Sequence, residues 1–285
     1  NKIVHGLRAL GLKQGDSVAA MLPNCAEYIA LHLAVVQSGL FLAPINWHLA
    51  GPEVAHIVED SNAKAFFFHS CSSTASLAAI DTLGLEKRAV FVVGAEGDEH
   101  YGMSSYNVLV DNQADGLPED RATGTVMFYT SGTTGKPKGV RRKVPTASPD
   151  QTATNFALFL SLFGIEAKNN NVHYCGSPLY HTAAMNWSTN SLHLGHAVVM
   201  HDMWDAERML AAIDQYRVTT AHVVPTQLVR LLKLPENIRA QYAVSSMRHL
   251  LHTAAPCSPE VKRSIIEWFG PCVYKYYAST EGGGT

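Results

Sequence analysis

Residues 125–140 read Thr-Val-Met-Phe-Tyr-Thr-Ser-Gly-Thr-Thr-Gly-Lys-Pro-Lys-Gly-Val, an apolar run followed at once by a loop rich in glycine, hydroxyl groups and lysine. Glycines let the backbone approach a phosphate and turn N–H groups toward it, hydroxyls donate further hydrogen bonds, and lysine adds compact positive charge. The stretch therefore predicts a strand over Thr125–Thr130 that ends in a polyphosphate-binding loop. An ordinary surface loop is the alternative that composition alone leaves open.

The spacing within this loop differs from that of P-loop NTPases. Only two residues separate Gly132 from the Gly135-Lys136 pair, and Pro137 stands where a Ser or Thr would coordinate magnesium. A P-loop ATPase or kinase, which would convert ATP to ADP, is therefore disfavoured.

Outward from the loop in both directions, apolar runs of strand length alternate with segments of helical period, which is typical of an α/β protein. The runs are apolar enough to be buried on both faces, which favours a parallel sheet covered by helices. The strands are predicted at 17–22, 40–45, 65–69, 89–93, 125–130, 172–175, 197–200, 220–224 and 273–277, and the main helices at 52–60, 156–163 and 205–216.

Three features set helix starts and a subdomain boundary. Asn24 with Glu27 three residues later resembles a capping box that opens a helix ending near Gly39. Ser258, followed by Pro259 at the first helical position, predicts the start of another helix. Polar residues dominate 94–122, so we expect a surface excursion there and a boundary between a first α/β subdomain, 1–122, and a second, 123–285.

The overall composition excludes several classes of protein. Of 285 residues, 47% are apolar and 16% charged, which describes a folded globular chain, and the net charge of −2 does not point to nucleic acid. Five cysteines without a Cys-x-x-Cys pair argue against a disulfide framework or a structural zinc site and favour a reducing, cytoplasmic location. Polar residues interrupt the most apolar window, 28–45, so no membrane-spanning helix is predicted.

Residues 129–140 resemble the signature of the adenylate-forming (ANL) superfamily, which comprises acyl-CoA synthetases, peptide-synthetase adenylation domains and luciferases. Three further segments resemble motifs of that family in its own order: Pro178–His181 its Pro-Leu-aromatic-His segment, Ala254–Pro256 its adenine-side turn, and Tyr277–Glu281 its Tyr-Gly-x-Thr-Glu motif, with Ala278 in place of glycine. The resemblance covers nearly the whole chain. It implies the layered α/β/α/β/α arrangement of the family's N-terminal domain, incomplete here, with the C-terminal lysine-bearing domain absent.

The resemblance also implies a two-step reaction. A carboxylate attacks the α-phosphate of ATP to give an acyl-adenylate and pyrophosphate, and a thiol, most often that of coenzyme A, then takes the acyl group. The implied cofactors are ATP, Mg²⁺ and coenzyme A, and the implied partners are small carboxylic acids, without nucleic acid or an integral membrane segment; a homodimer is allowed.

Carried over by position, the phosphate-loop contacts are Thr130, Ser131, Gly132, Thr133, Thr134, Gly135 and Lys138, which hold the β- and γ-phosphates. Tyr277 is implied to stack on adenine beside Ala254, Ala255 and Pro256. Thr280 is implied to contact the α-phosphate and Glu281 to bind Mg²⁺, an ion that prefers hard oxygen ligands. His181 is implied to line the channel where the acyl carboxylate and thiol meet, and the catalytic set is Thr133, His181, Thr280 and Glu281.

Each assignment has a structural alternative. Without its motif, Tyr277 at a strand end is commonly a core residue, Glu281 a solvated one and His181 a hydrogen-bonded structural one. His193, His196 and His201 suggest a metal site but lack the companion ligands of a known zinc pattern, so we interpret them as structural. Because the family's ribose-binding aspartate and catalytic lysine cannot be located, we expect this chain alone to bind nucleotide weakly and to turn over poorly.

The acyl group is predicted from the segment after His181, which reads Thr-Ala-Ala-Met-Asn-Trp and offers no charge to an amino acid's ammonium group. It favours a fatty or other bulky apolar acid; alternatively, Met185 and Trp187 are core residues of a helix. The leading function is an AMP-forming acid–thiol ligase. An adenylation domain that loads a carrier-protein thiol and a catalytically incomplete nucleotide-binding module are the alternatives.

Overall fold

The structure is a computed structural model with side chains, and it describes residues 1–97, 99–130, 137–141, 143–168 and 170–277; for Thr130 it describes only the backbone. The chain divides into two compact units, Asn1–Thr152 and Ala153–Thr285. The sequence suggests a boundary at 122/123, which lies before this division, and residues 125–126 pair with the first sheet.

Helices and strands alternate through both units. The helices are α1 Lys2–Ala9, α2 Ala26–Val36, α3 Gly51–Asp60, α4 Ser73–Leu83, α5 Tyr106–Val110, α6 Pro149–Ser161, α7 Thr182–His193, α8 Ala206–Tyr216, α9 Pro225–Leu232, α10 Glu236–Arg239 and α11 Pro259–Phe269. The strands are β1 Ser17–Met21, β2 Phe41–Pro44, β3 Ala63–His69, β4 Val90–Val93, β5 Glu99–His100, β6 Met103–Ser105, β7 Thr125–Val126, β8 Phe128–Thr130, β9 Lys138–Val140, β10 Val172–Cys175, β11 Ala197–Met200, β12 Thr220–Val223, β13 His249–His252 and β14 Val273–Lys275.

The first unit is built on a sheet with the strand order β5-β6-β4-β3-β1-β2-β7. Its strands pair in parallel except for the antiparallel β5–β6 pair. Every residue of β1, β2 and β4 is buried, as their continuous apolar sequences predict. The expected surface excursion over 94–122 also holds β5, β6 and α5, which are too short to show a hydrophobic period.

The predicted strand Thr125–Thr130 is divided at Met127. β7 pairs in parallel with β2, whereas β8 pairs antiparallel with β9 in a separate two-stranded hairpin. The apolar run therefore ends one sheet and begins the hairpin that flanks the glycine-rich loop.

The predicted capping box of Asn24 and Glu27 is wrong. Cys25, not Asn24, is the N-cap of α2, and its backbone is extended (φ −149°, ψ 164°). Asn24 instead lies buried in the turn between β1 and α2. The local pattern misplaced the cap by one residue, and α2 ends at Val36 rather than near Gly39.

Gly124 lies where a side chain has no room, and we expect Gly124→Ala to lower the free energy of unfolding by about 1–3 kcal/mol. A Cβ atom there would overlap the backbone carbonyl oxygens of Val35 and Leu40, which cannot retreat as a flexible side chain can. Urea denaturation measures the effect. Gly116→Ala is the control, because nothing lies within 4 Å of its Cβ position; equal midpoints for the two variants would contradict the prediction.

The second unit is built on the wholly parallel sheet β11-β10-β12-β13-β14. Successive residues of a strand face opposite sides of a sheet. Accordingly Leu250 packs in the cluster that includes Met209, Leu228 and Ile265 of α8, α9 and α11, whereas Leu251 packs with the α6 and α7 residues Leu160 and Trp187. The predicted α/β architecture of mostly parallel sheets flanked by helices is confirmed.

The predicted start of α11 at Ser258 is confirmed, and α8, predicted from Asp205, begins at Ala206 with Asp205 as its N-cap. The Asp205 carboxylate accepts hydrogen bonds from the backbone N–H groups of Glu207 and Arg208 at the start of α8. The Ser258 hydroxyl accepts from the backbone N–H of Val261 at the start of α11. Each side chain satisfies donors that the first helical turn leaves unpaired.

Candidate functional site

The strand order of the second sheet defines where a ligand is expected. The chain passes from β10 outward to β11 on one side and then to β12 on the other, so the order of the strands reverses between β10 and β12. In open parallel sheets, ligands bind beyond the carboxyl ends of the strands near such a switch point. The loops that follow β10, β12, β13 and β14 are therefore the candidate site of this unit.

Three of the predicted site segments lie at this edge. His181 ends the loop after β10, Ala254–Pro256 follow β13, and Tyr277 follows β14. The hydroxyl of Thr253 donates a hydrogen bond to the backbone carbonyl of Tyr276 at 2.8 Å, which ties the last two loops together. Segments far apart in the sequence are thus brought to one edge because parallel strands end on the same side.

Tyr277 has 70% of its surface exposed, so its ring is not part of the core. The neighbouring Tyr276 is buried and accepts a hydrogen bond from the Trp187 indole N–H at 2.9 Å. The two adjacent tyrosines therefore differ in role, and only Tyr277 presents a free ring face for stacking. Stacking on adenine stays a prediction that this exposure fits.

Ala254, which is exposed, has a positive φ of 74°. This conformation is uncommon for a residue with a Cβ atom, and such strain is concentrated at ligand-binding loops. Ala255 and Pro256 are exposed beside it. The turn therefore presents backbone groups at the carboxyl edge, as a nucleotide-contacting turn requires.

His181 lies immediately before α7, and its backbone carbonyl accepts a hydrogen bond from the Met185 N–H. The residue has an exposed surface, yet the protein atoms packed around its ring lower the pKa of His181 below its ordinary value. A neutral imidazole can accept or donate one proton in a hydrogen bond. The role of His181 in the channel stays a prediction.

His222, near the carboxyl end of β12, is a residue that the sequence analysis missed. Only 4% of its surface is exposed, and neither ring nitrogen has a hydrogen-bond partner among the described residues. Burial, followed by the charges on His252 and His181, lowers the pKa of His222 to about 4. His181 therefore lies within electrostatic range of a buried neutral imidazole, and nothing in the run Thr220–Val223 signals this.

Met185 and Trp187 are buried residues of α7, as the structural alternative predicted. The Trp187 ring lies at 5.5 Å from that of Phe163 and 5.8 Å from that of Phe159, measured between centroids. Met185 and Trp187 thus contribute to packing between α7 and the sheet. α7 carries no acidic residue or lysine, in line with the predicted absence of an ammonium-binding group.

The histidines considered for a metal site make other contacts. His196 Nε2 donates to the Glu166 carbonyl at 2.8 Å, and His201 Nδ1 lies 3.0 Å from the Tyr174 hydroxyl. Within the part of the chain that the structure describes, no three His, Cys, Asp or Glu side chains are grouped to hold a metal ion. Their structural interpretation fits these contacts.

The phosphate-loop segment belongs to the first unit, where β8 and β9 form its stem through the pair Thr130–Lys138 and two further pairs. Lys138 is exposed, so its ammonium group is available to an anion. The remaining predicted contacts lie outside the described residues; these are Ser131, Gly132, Thr133, Thr134, Gly135, Thr280 and Glu281.

The family model of the AMP-binding enzymes matches residues 1–285, the whole chain. The chain belongs to this family. The predicted resemblance to adenylate-forming enzymes is thereby confirmed.

This member of the AMP-binding family is 29% identical over 285 residues to an indoleacetate–CoA ligase of Aromatoleum aromaticum, covering 98% of this chain and 53% of that protein. It is 27% identical over 292 residues to the fatty acid–[acyl-carrier-protein] ligase ScoC of Streptomyces coeruleorubidus, covering 100% of this chain and 52% of that protein. The AMP-binding chain thus spans about half the length of the curated relatives it matches.

Among solved structures, the amide bond synthetase McbA of Marinactinospora thermotolerans superposes with a TM-score of 0.82 at 21% identity, covering 99% of this AMP-binding chain and 54% of the other. At this identity the match establishes the shared fold. Among the residues described here, no helix has both the length and the apolar character to cross a membrane.

Proposed function

We propose that this chain is the nucleotide-binding part of an AMP-forming acid–thiol ligase that activates a fatty or other bulky apolar carboxylic acid and transfers the acyl group to coenzyme A. The observation that carries the proposal is the carboxyl edge of the second sheet, where His181, the strained turn at Ala254 and the exposed ring of Tyr277 lie on the loops after β10, β13 and β14. Family membership supports the same chemistry.

The chemistry requires charge neutralisation and alignment more than covalent catalysis, because both the carboxylate and the triphosphate are anionic. Lys138 supplies positive charge at the stem of the phosphate loop, and the ring of Tyr277 offers an apolar face to adenine. The chemistry of each residue, taken by itself, suits contact with a nucleotide.

Mg²⁺ would neutralise phosphate charge during the attack. Glu281 is the proposed ligand on the basis of its motif, and Thr280 the proposed contact to the α-phosphate. Thr133 and the neighbouring hydroxyls would hold the β- and γ-phosphates in place of water. A carboxylate beside the α-phosphate is what distinguishes an adenylating site from a module that only binds nucleotide.

The apolar acyl class is inferred from the residues after His181. Thr182 and Ala183 at the start of α7 are small and half-buried, whereas Met185 and Trp187 further along it belong to the core. The absence of a charged side chain along this helix disfavours an amino-acid substrate. A carrier-protein thiol is the second candidate acceptor, favoured by the similarity to a fatty acid–[acyl-carrier-protein] ligase.

A thermal-unfolding titration tests the proposed binding. Mg-ATP and stable acyl-adenylate mimics with C2, C8, C16, aromatic and steroid acyl groups are added to the chain. A ligand at a hundredfold excess over its Kd is expected to raise the free energy of unfolding by about 2.7 kcal/mol. We expect a bulky apolar acyl-adenylate to shift the midpoint more than Mg-ATP alone; equal shifts for all acyl groups would contradict the substrate class.

Product analysis of the full-length protein tests the reaction. We expect AMP and pyrophosphate, whereas formation of ADP would overturn the proposal in favour of an ATPase or kinase. Coenzyme A and a carrier protein bearing a phosphopantetheine thiol are compared as acceptors. Faster acyl transfer to the carrier protein would favour the second candidate.

A further inference from the structure

Both flanks of the glycine-rich segment are hydrogen-bonded to one face of α3. On the side that precedes the segment, the Tyr129 hydroxyl donates to Oδ2 of Asp60 at 2.7 Å. On the side that follows it, Nε2 of His56 donates to the backbone carbonyl of Pro137 at 3.0 Å. His56 and Asp60 are four residues apart, so they lie one above the other on the helix, about 6 Å apart along its axis.

The hairpin that carries the segment needs such support. β8 and β9 form a sheet of only two strands, and a two-stranded hairpin is at best marginally stable by itself. Gly139 lets the Tyr129 ring lie close over β9, because a Cβ atom there would be 3.0 Å from Cζ of the ring. The Arg141 guanidinium lies 4.4 Å from the centroid of the Phe41 ring and holds the end of β9 against β2.

The helix α3, which makes these contacts, is itself anchored in the hydrophobic core. Val54, Ile57 and Val58 are almost fully buried in the core of the first unit. Asp60 is the last residue of the helix, where the helix dipole disfavours negative charge, so its position needs a compensating interaction. The hydrogen bond from Tyr129 supplies one.

We propose that Asp60 and His56 are positioning residues that fix Tyr129 and Pro137, and with them the two ends of the phosphate loop, for the binding of the ATP triphosphate. Neither residue is assigned a contact to the nucleotide. The proposal rests on the proposed function, because it presumes that the loop holds phosphates. It adds that the affinity for ATP is set in part by a helix outside the motif.

The test measures the Kd of Mg-ATP by calorimetry for the 285-residue chain and its variants, together with thermal unfolding without nucleotide. Tyr129→Phe and Asp60→Ala each remove the same hydrogen bond, so each is expected to weaken Mg-ATP binding about tenfold, and the double variant no more than either single one. Asp60→Asn keeps an oxygen acceptor and is expected to restore most of the affinity. His56→Ala is expected to weaken binding about threefold.

Tyr242→Phe is the matched control. Its hydroxyl donates to the Glu207 carboxylate at 2.9 Å in the second unit, so the variant loses a bond of the same kind without touching the stem. We expect it to leave the Kd of Mg-ATP unchanged. Wild-type affinity in both Tyr129→Phe and Asp60→Ala would overturn the proposal, as would an equal loss in Tyr242→Phe.

Amide hydrogen exchange separates this proposal from the proposed function. In Tyr129→Phe we expect the amides of residues 128–130 and 138–140 to exchange faster than in the wild type, with no nucleotide present. If neither the unsubstituted 285-residue chain nor the full-length protein binds Mg-ATP, the proposed function is overturned. Independently of nucleotide binding, exchange of the stem amides in Tyr129→Phe at the wild-type rate would overturn the positioning role.

Discussion

Replacing Trp187 by alanine is expected to lower the free energy of unfolding by about 3–5 kcal/mol, the largest effect of a single substitution that we predict. The side chain is 2% exposed, and its indole N–H donates to the Tyr276 hydroxyl at 2.9 Å. Its ring also contacts those of Phe159 and Phe163. Truncation would leave a cavity between α7 and the sheet and remove the partner of a buried hydroxyl.

Urea denaturation followed by circular dichroism measures the loss. Trp187→Phe keeps an aromatic ring but removes the N–H donor, so we expect a smaller loss of about 1–2 kcal/mol. Trp268→Ala is the control, because that ring is only partly buried and lies 5.1 Å from the Arg239 guanidinium carbon; about 1 kcal/mol is expected. The prediction fails if Trp187→Ala and Trp268→Ala unfold at the same urea concentration.

Acidification is expected to destabilise the second unit through two buried histidines. Burial is the main cause that lowers the pKa of His173 to about 3 and that of His222 to about 4, against an ordinary value of 6.5. Above pH 6.5 the folded and unfolded states carry the same charge at these sites. Below it, the unfolded chain binds two protons that the folded chain excludes, so stability falls as the pH falls toward 4.

The expected slope is about 1.4 kcal/mol per pH unit for each histidine within this window. Urea denaturation at pH 7.5, 6.0 and 5.0 measures it. Other histidines with lowered pKa values add to the slope of the wild type. Comparing the wild type with His222→Gln therefore isolates the contribution of one site. We expect His222→Gln to lose less stability than the wild type between pH 6.0 and 5.0. His48→Asn, at an exposed position, is the control; a His222→Gln slope equal to the wild-type slope would contradict the prediction.

Much of the fold follows from local sequence pattern. Continuous apolar runs such as Ser17–Met21 and Val90–Val93 predicted the parallel strands, since such runs suit strands covered on both faces. Ser258 predicted a helix start because capping depends on residues within one turn. α4 escaped prediction because its sequence, rich in alanine and hydroxyl residues, shows only a weak hydrophobic period.

The candidate site likewise contains residues that the sequence predicts and residues that it does not. The motifs around Thr130–Lys138, Ala254–Pro256 and Tyr277 can be recognised in the sequence, because a nucleotide requires glycines, hydroxyls and an aromatic ring in a short, ordered stretch. His222, His56 and Asp60 could not be found in this way. A buried imidazole in an apolar strand and two polar residues on a helix have no local feature that marks them.

The sequence by itself determined the α/β class and the family and predicted the residues of the phosphate loop, because each depends on neighbours along the chain. Only the tertiary structure decided that Tyr129 meets Asp60 across 69 residues, that His56 meets Pro137 across 81, and that Trp187 meets Tyr276 across 89. The physical reason is that these pairs form when β-α-β crossovers bring distant segments together. Such contacts depend on strand order and on which face of an element each residue occupies. A local sequence pattern does not identify the distant partner.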